Sequence, residues 1–200
     1  MEQIQNNRVI TDLYRENAQF PGIALDGSDV YLCWQRFVDR HDSLMASCRR
    51  GDEVVWEREI SDGGEVLHPV ILAHGGAIWY AWSEYARENW RILARCYRDG
   101  QWGEVLTVAS GEALFFPRLF TWQGKLHVIW TEQHKGSAAA VLCPLTEAGP
   151  GAAETVSVVG EAYRAGAAEG GDGNLYVAYD GFDGKQYKLF ARARTAAGWS

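Results

Sequence analysis

Two residues beyond each of three evenly spaced tryptophans stands a charged side chain: Arg36 after Trp34, Glu84 after Trp82 and Glu132 after Trp130, with Asp180 one place beyond Tyr179. Carboxylates and a guanidinium converging on one opening suit a charged or hydroxyl-rich ligand, because each offers directed hydrogen bonds. Glu84 and Glu132 would also serve as acid and base in glycoside hydrolysis if they stood about 5–10 Å apart. The plainer reading is that strand ends meet water and carry charge there. Arg118 and Trp90 join the candidate ligand-binding set because each breaks the repeat of the surrounding sequence. Arg118 stands where other copies have Gly22 and Val70; a surface Arg capping a strand would look the same. Trp90 falls in a segment expected to be a loop, where an exposed indole would stack on a sugar ring or a partner. Packing against a neighbouring loop is its alternative.

Metal and cofactor chemistry find no support. His41, His68 and His134 lack ligand spacing, and the DGFDGK stretch at Asp180 lacks oxygen ligands at alternating positions. No cofactor and no metal is expected, and no Ser/His/Asp or Cys/His nucleophile can be assembled.

These candidates are carried by a repeat. Trp34, Trp82 and Trp130 are 48 residues apart, Tyr179 follows 49 later, and Pro21, Pro69 and Pro117 keep the 48-residue step. Each copy runs from a short apolar stretch through a Gly-rich turn (Asp26-Gly27-Ser28, His74-Gly75-Gly76, Gln123-Gly124, Gly171-Asp172-Gly173) into a longer apolar stretch. Gly and Asp tolerate the positive φ of tight hairpins, so these read as turns between paired strands. Val30, Leu32 and Trp34 share one strand face, and Tyr31 and Cys33 the other. With both faces apolar, the strand is expected to be covered on both sides. Third strands follow at Leu44, Ile92, Ala139 and Leu189, and fourth strands at Val54 and Gln101.

Four short strands per repeat of about 48 residues predicts an all-β fold, a β-propeller of four-stranded antiparallel blades. The expected blades are 20–67, 68–115, 116–163 and 164–200. Residues 1–19 form an N-terminal segment whose RVITD stretch (8–12) resembles the outer-strand end EREISD (57–62). That segment would supply a closing outer strand to the last blade, which lacks one. Two alternatives stay open: the chain is part of a longer propeller, or two copies associate to complete a larger ring.

A net charge of −7 and a pI near 5.2 argue against nucleic acid, which requires a basic stripe. No apolar run reaches the roughly 18 residues of a membrane-spanning helix, and MEQIQNNRVI is no signal peptide. Cytoplasmic placement is the default expectation, with secretion open if a leader was removed. The four cysteines read as small buried hydrophobes. Cys48, Cys96 and Cys143 are placed at equivalent positions of successive third strands, too far apart to bridge.

The pattern resembles sialidase-like propellers built on Asp-box repeats, Ser/Thr-x-Asp-x-Gly-x-Thr-Trp between third and fourth strands. Asp99-Gly100-Gln101-Trp102 carries part of the box; Gly51 to Trp56 and Gly198-Trp199-Ser200 carry less, and no copy is complete. It is also similar to fucose-binding propeller lectins, whose repeats end in a comparable Asp-Gly-x-Trp. The sialidase resemblance implies three Arg for a carboxylate, for which Arg36, Arg118 and Arg164 are available. It implies a Tyr nucleophile, Tyr85 or Tyr163, and an acid, Asp39 or Asp42. Phe115 and Phe116 are expected to fill a blade interface. The expected function is a non-catalytic propeller binding a glycan or protein on its loop face. A sialidase-like glycoside hydrolase, or a fragment of one, is the alternative, and a structural module of a larger protein the third reading.

Overall fold

The computed structural model describes residues 17–61, 63–158 and 161–200. The proposed closing strand at residues 8–12 lies outside the described residues. The fold is a four-bladed antiparallel β-propeller, all-β throughout the described residues. The first blade comprises β1 (Asn17–Asp26), β2 (Asp29–Val38), β3 (His41–Arg50) and β4 (Glu53–Glu59). The second holds β5 (Glu65–His74), β6 (Ala77–Ala86) and β7 (Asn89–Arg98), its outer position split into β8 (Gln101–Trp102) and β9 (Leu106–Gly111). The third holds β10 (Ala113–Trp122), β11 (Lys125–His134) and β12 (Ser137–Thr146), again with a split outer position, β13 (Gly149–Pro150) and β14 (Glu154–Thr155). The fourth comprises β15 (Ala162–Glu169), β16 (Leu175–Phe182), β17 (Tyr187–Thr195) and β18 (Gly198–Trp199).

The connections between second and third strands are tight turns in the first two blades. β2 and β3 pair as far as Val38 and His41, leaving only Asp39 and Arg40 between them, both at positive φ (51° and 65°). β6 and β7 meet likewise around Arg87 and Glu88 (54° and 64°). Two central residues at positive φ make the turn that matches strand twist. Asp-Arg and Arg-Glu are poor sequence signals for it, since neither contains Gly or Asn, and that hid these hairpins.

Neighbouring blades pack in one repeated way. Tyr31, Cys33, Leu44, Ala46 and Cys48 of the first blade bury against Ile78, Tyr80, Trp82 and Leu93 of the second. Ile129, Ala140 and Leu142 of the third meet Leu175, Val177 and Tyr179 of the fourth in the same manner. The repeat-marking Trp34, Trp82, Trp130 and Tyr179 are all at most 5% exposed. At full burial each such aromatic is worth a few kcal/mol.

Trp56 and Trp102 meet edge-on at 5.4 Å between the first two blades, so both indoles serve blade packing. Cys143 departs from its expected place. It pairs with Val128, whereas Cys48 and Cys96 pair with Tyr31 and Trp79. Pro144, opposite His127, holds the equivalent position. The one-residue slip turns the Cys143 thiol to the opposite face of its blade. All four cysteines are free and buried.

Inner strands touch in sequence, β1 on β5, β5 on β10, β10 on β15. Among the described residues no strand of the first blade packs along a strand of the fourth.

Candidate functional site

Each inner strand carries one irregularity at the same repeat position. Pairing slips between Gln19 and Gly22, Leu67 and Val70, Phe115 and Arg118, and Tyr163 and Gly166. Within these bulges Phe20, His68, Phe116 and Arg164 adopt φ of 52°, 53°, 55° and 45°. A bulge inserts one unpaired residue and re-aims its side chain. Left-handed backbone at a residue other than Gly costs about 1–3 kcal/mol and tends to persist where a site needs it. The four residues lie 48 apart, so the fold places one on each blade's inner strand, where they converge. Phe20 and His68 meet edge-on at 5.2 Å, and His68 and Phe116 are tilted at 4.3 Å.

Two adjoining clefts of about 510 and 500 Å³ share His68, Phe116 and Arg164. The first adds Phe115, Gln133, Tyr163, Asp180 and Tyr187; the second adds Phe20, Pro21 and Arg118. Arg164 donates to both carboxylate oxygens of Asp180, through Nε at 3.3 and 3.2 Å and also through Nη2. Its backbone N–H donates to the buried Thr131 hydroxyl at 3.2 Å, anchoring it to the preceding blade. Burial, helped by the nearby Arg118 charge, holds the His68 imidazole below its ordinary pKa. His68 is therefore neutral at pH 7, and its Nδ1 is buried with no hydrogen-bond partner among the described residues. Burial, with Glu161 close by, pushes the Tyr163 phenol up, the reverse of what a phenolate nucleophile requires.

The candidates drawn from sequence divide. Asp180 and Arg118 line these clefts. Arg36 does not line them; it pairs with Glu59 at 3.0 Å within the first blade. Glu84 is 1% exposed, accepting from Trp82 Nε1 at 3.1 Å and from Arg91. It lies instead beside a separate cleft with Arg40, His41 and Arg87. Glu132 is half-buried on β11, next to Gln133, which does line the first cleft. Trp90 is on strand β7 rather than in a loop, wedged between Tyr85 at 5.3 Å and Phe115 at 4.7 Å. Phe116, expected at a blade interface, lines both clefts instead. Phe20 and His68 were findable from sequence: each precedes a repeat proline, as Phe116 does. Among the described residues no group of His, Cys, Asp and Glu is placed to hold a metal ion, and no helix is long and apolar enough to cross a membrane.

Aromatic rings, one carboxylate and two guanidiniums thus line two adjoining clefts of a four-bladed propeller. In fold the chain is similar to MPT-4, a mannose phosphorylase from Leishmania mexicana (TM-score 0.63, 10% identity, covering 93% of this chain and 66% of that one). It is likewise similar to the subtype N10 neuraminidase-like protein of A/little yellow-shouldered bat/Guatemala/060/2010 (0.63, 8%, 95% and 60%). The xyloglucan PUL GH43B protein of Bacteroides ovatus is a third (0.57, 13%, 95% and 42%). The chain thus spans less than two thirds of each of these structures. No family profile and no curated protein sequence matches it.

Proposed function

We propose that this propeller binds a carbohydrate non-covalently in its axial cleft, with Phe116, His68 and Tyr187 as stacking surfaces and the Arg164–Asp180 pair as the polar anchor. The observation that carries this reading is the convergence of Phe20, His68, Phe116 and Arg164 at four equivalent bulges. A sugar presents apolar C–H faces and equatorial hydroxyls, which such a mixture of aromatic faces and planar donors can meet together. Asp180 is the one carboxylate among the described residues lining the two clefts, and Arg164 already engages it. Most glycoside hydrolysis uses two carboxyls flanking one bond, and burial raises the Tyr163 phenol against the phenolate that a Tyr nucleophile requires; both favour binding over cleavage.

The fold similarity to glycoside-active propellers supports a second reading, a hydrolase or part of one. A glycan array followed by calorimetry on the best ligand, with a panel of fluorogenic glycosides in parallel, separates the two. Binding weakened by Phe116→Ala and His68→Ala, without turnover, supports the first reading. Turnover abolished by Asp180→Asn would replace it with the second.

A further inference from the structure

A third cleft, of about 660 Å³, opens between the first two blades and shares no lining residue with the two clefts described above. Arg40 lines it from the β2–β3 turn, with His41 beside it, Arg87 from the β6–β7 turn and Arg91 from β7. Its carboxylates among the described residues are the buried Glu84 and the exposed Glu65. Arg91 is paired with Glu84. Arg40 and Arg87 are exposed and form no ion pair among the described residues. The described lining thus carries three guanidiniums against two carboxylates, on a chain whose net charge is −7.

Arg91 is held in this cleft by a device that blade packing does not require. Its Nη2 donates to one oxygen of Glu84, and the other oxygen accepts from Trp82 Nε1. Taking a carboxylate out of water is costly even when it is paired. The first and third blades bury Trp34 and Trp130 without this relay, having Ser43 and Ala139 where the second has Arg91. What the relay achieves is a long cationic side chain fixed at the cleft wall, its Nη1 engaged by no described residue. A guanidinium already held in one orientation loses less freedom when it takes up a ligand. The hairpin tips point the same way. Arg40 and Arg87 hold φ of 65° and 54°, values that Asn or Gly adopts more readily, so Arg at both tips costs the turns stability.

We infer that this cleft is a second binding site, for a tetrahedral oxyanion, the chemistry shared by phosphate and sulfate groups, with Arg91 as the fixed donor and Arg40 and Arg87 as donors from the two hairpin tips. Guanidinium N–H groups make strong, charge-assisted hydrogen bonds to such oxygens. Three guanidiniums carried on separate segments suit a group whose oxygens point in several directions better than they suit a planar carboxylate. The site stands apart from the carbohydrate reading and does not depend on it.

The test uses the full chain labelled with 15N, with the Trp82 and Trp130 indole signals assigned through Trp82→Phe and Trp130→Phe. Sodium phosphate, sodium sulfate and sodium malonate are titrated separately against sodium chloride at matched ionic strength. Phosphate or sulfate should move the Trp82 indole signal saturably, because an anion on Arg91 loosens its hold on the carboxylate that the indole donates to. The Trp130 indole should stay still. Saturation by one of the two anions alone supports the site and names its source. Arg40→Gln combined with Arg87→Gln, both in exposed turns, should weaken binding about tenfold. Lys185→Gln, which removes an exposed cation of the fourth blade, and Phe116→Ala should leave it unchanged. A response no larger than that to chloride, undiminished binding in the double variant, or an equal loss in Lys185→Gln would overturn the site. Malonate bound as tightly as phosphate and sulfate would overturn the tetrahedral assignment.

Discussion

The indole Nε1 of Trp82 donates to the carboxylate of Glu84, two residues further along β6, at 3.1 Å. Residues two apart on a strand share a face, so the carboxylate is delivered to the tryptophan it follows, and Arg91 of the adjoining strand closes the pair. The arrangement gives a buried carboxylate one cationic donor and one neutral donor. In the first and third blades, where Arg36 and Glu132 hold that place, Trp34 Nε1 and Trp130 Nε1 are buried without a partner among the described residues. Glu84→Ala would leave the buried Trp82 Nε1 without its acceptor and should cost about 1–3 kcal/mol, Arg91 being exposed enough to turn to water. Glu84→Gln, which keeps an acceptor for Trp82, should cost less. Urea titration of both variants measures the difference, and carbohydrate affinity should not change in either.

Gly64 guards the same carboxylate. A Cβ there would stand 2.5 Å from Glu84 Cγ and 2.8 Å from the Tyr85 carbonyl oxygen. The carbonyl is backbone and cannot move aside. Gly64→Ala should therefore lower stability by about 1–3 kcal/mol, the usual cost of overpacking. Paired with Glu84→Gln the loss should persist, because the Tyr85 contact remains; thermal melts of the two variants decide this.

Acid should weaken the fold through two histidines. Burial first, with Arg118 adding to it at His68, lowers the pKa of His68 from its ordinary 6.5, and burial likewise lowers that of His127. The unfolded chain then binds more protons than the folded one just below pH 6.5, so stability is full above that pH and declines as pH falls toward the lowered folded values. Melting temperature should drop between pH 7 and pH 5. The drop should shrink in His68→Gln and in His127→Gln, measured against wild type across that range.

Ligand affinity should divide the aromatics. Phe116→Ala removes a face shared by both clefts and should weaken carbohydrate binding by roughly tenfold, about 1.4 kcal/mol. Trp90→Ala removes a ring packed between Tyr85 and Phe115. It should cost about 3 kcal/mol of stability, with a smaller change in affinity. Calorimetry and denaturation run on the same two variants test the contrast.

The thiols should be silent in the native protein. Burial pushes Cys33 up to about 12 and Cys143 up to about 11, and raises Cys48 and Cys96 as well. A thiol kept protonated and enclosed does not alkylate. Maleimide mass tagging should add nothing in buffer and four tags in denaturant.

Much of the fold was legible because the repeat is written in residues the scaffold cannot do without. Trp34, Trp82, Trp130 and Tyr179 fill the same space in four blades, and the turns between first and second strands carry Gly where positive φ is needed. The hairpins at Asp39-Arg40 and Arg87-Glu88 were not legible. Tertiary pairing of long strands imposes positive φ there on residues that give no local sign of it. The displacement of Cys143 by one position was equally hidden, since a slip of that size changes the face without changing the apolar pattern.

The candidate site was less legible than the scaffold. Charge two residues past each tryptophan looked like a common mouth, yet Arg36 and Glu84 end in local pairs and Glu132 does not line the two clefts; Asp180 does, with Arg118, Arg164 and Tyr163, which were chosen on other grounds. The sequence by itself determined the strand period, the four-fold repetition and the apolar faces, because side-chain alternation and turn chemistry are local properties. The tertiary structure alone decided which polar groups meet. That follows from the bulges at Phe20, His68, Phe116 and Arg164, which turn four residues 48 positions apart toward one another, a convergence that depends on how the blades stack around an axis.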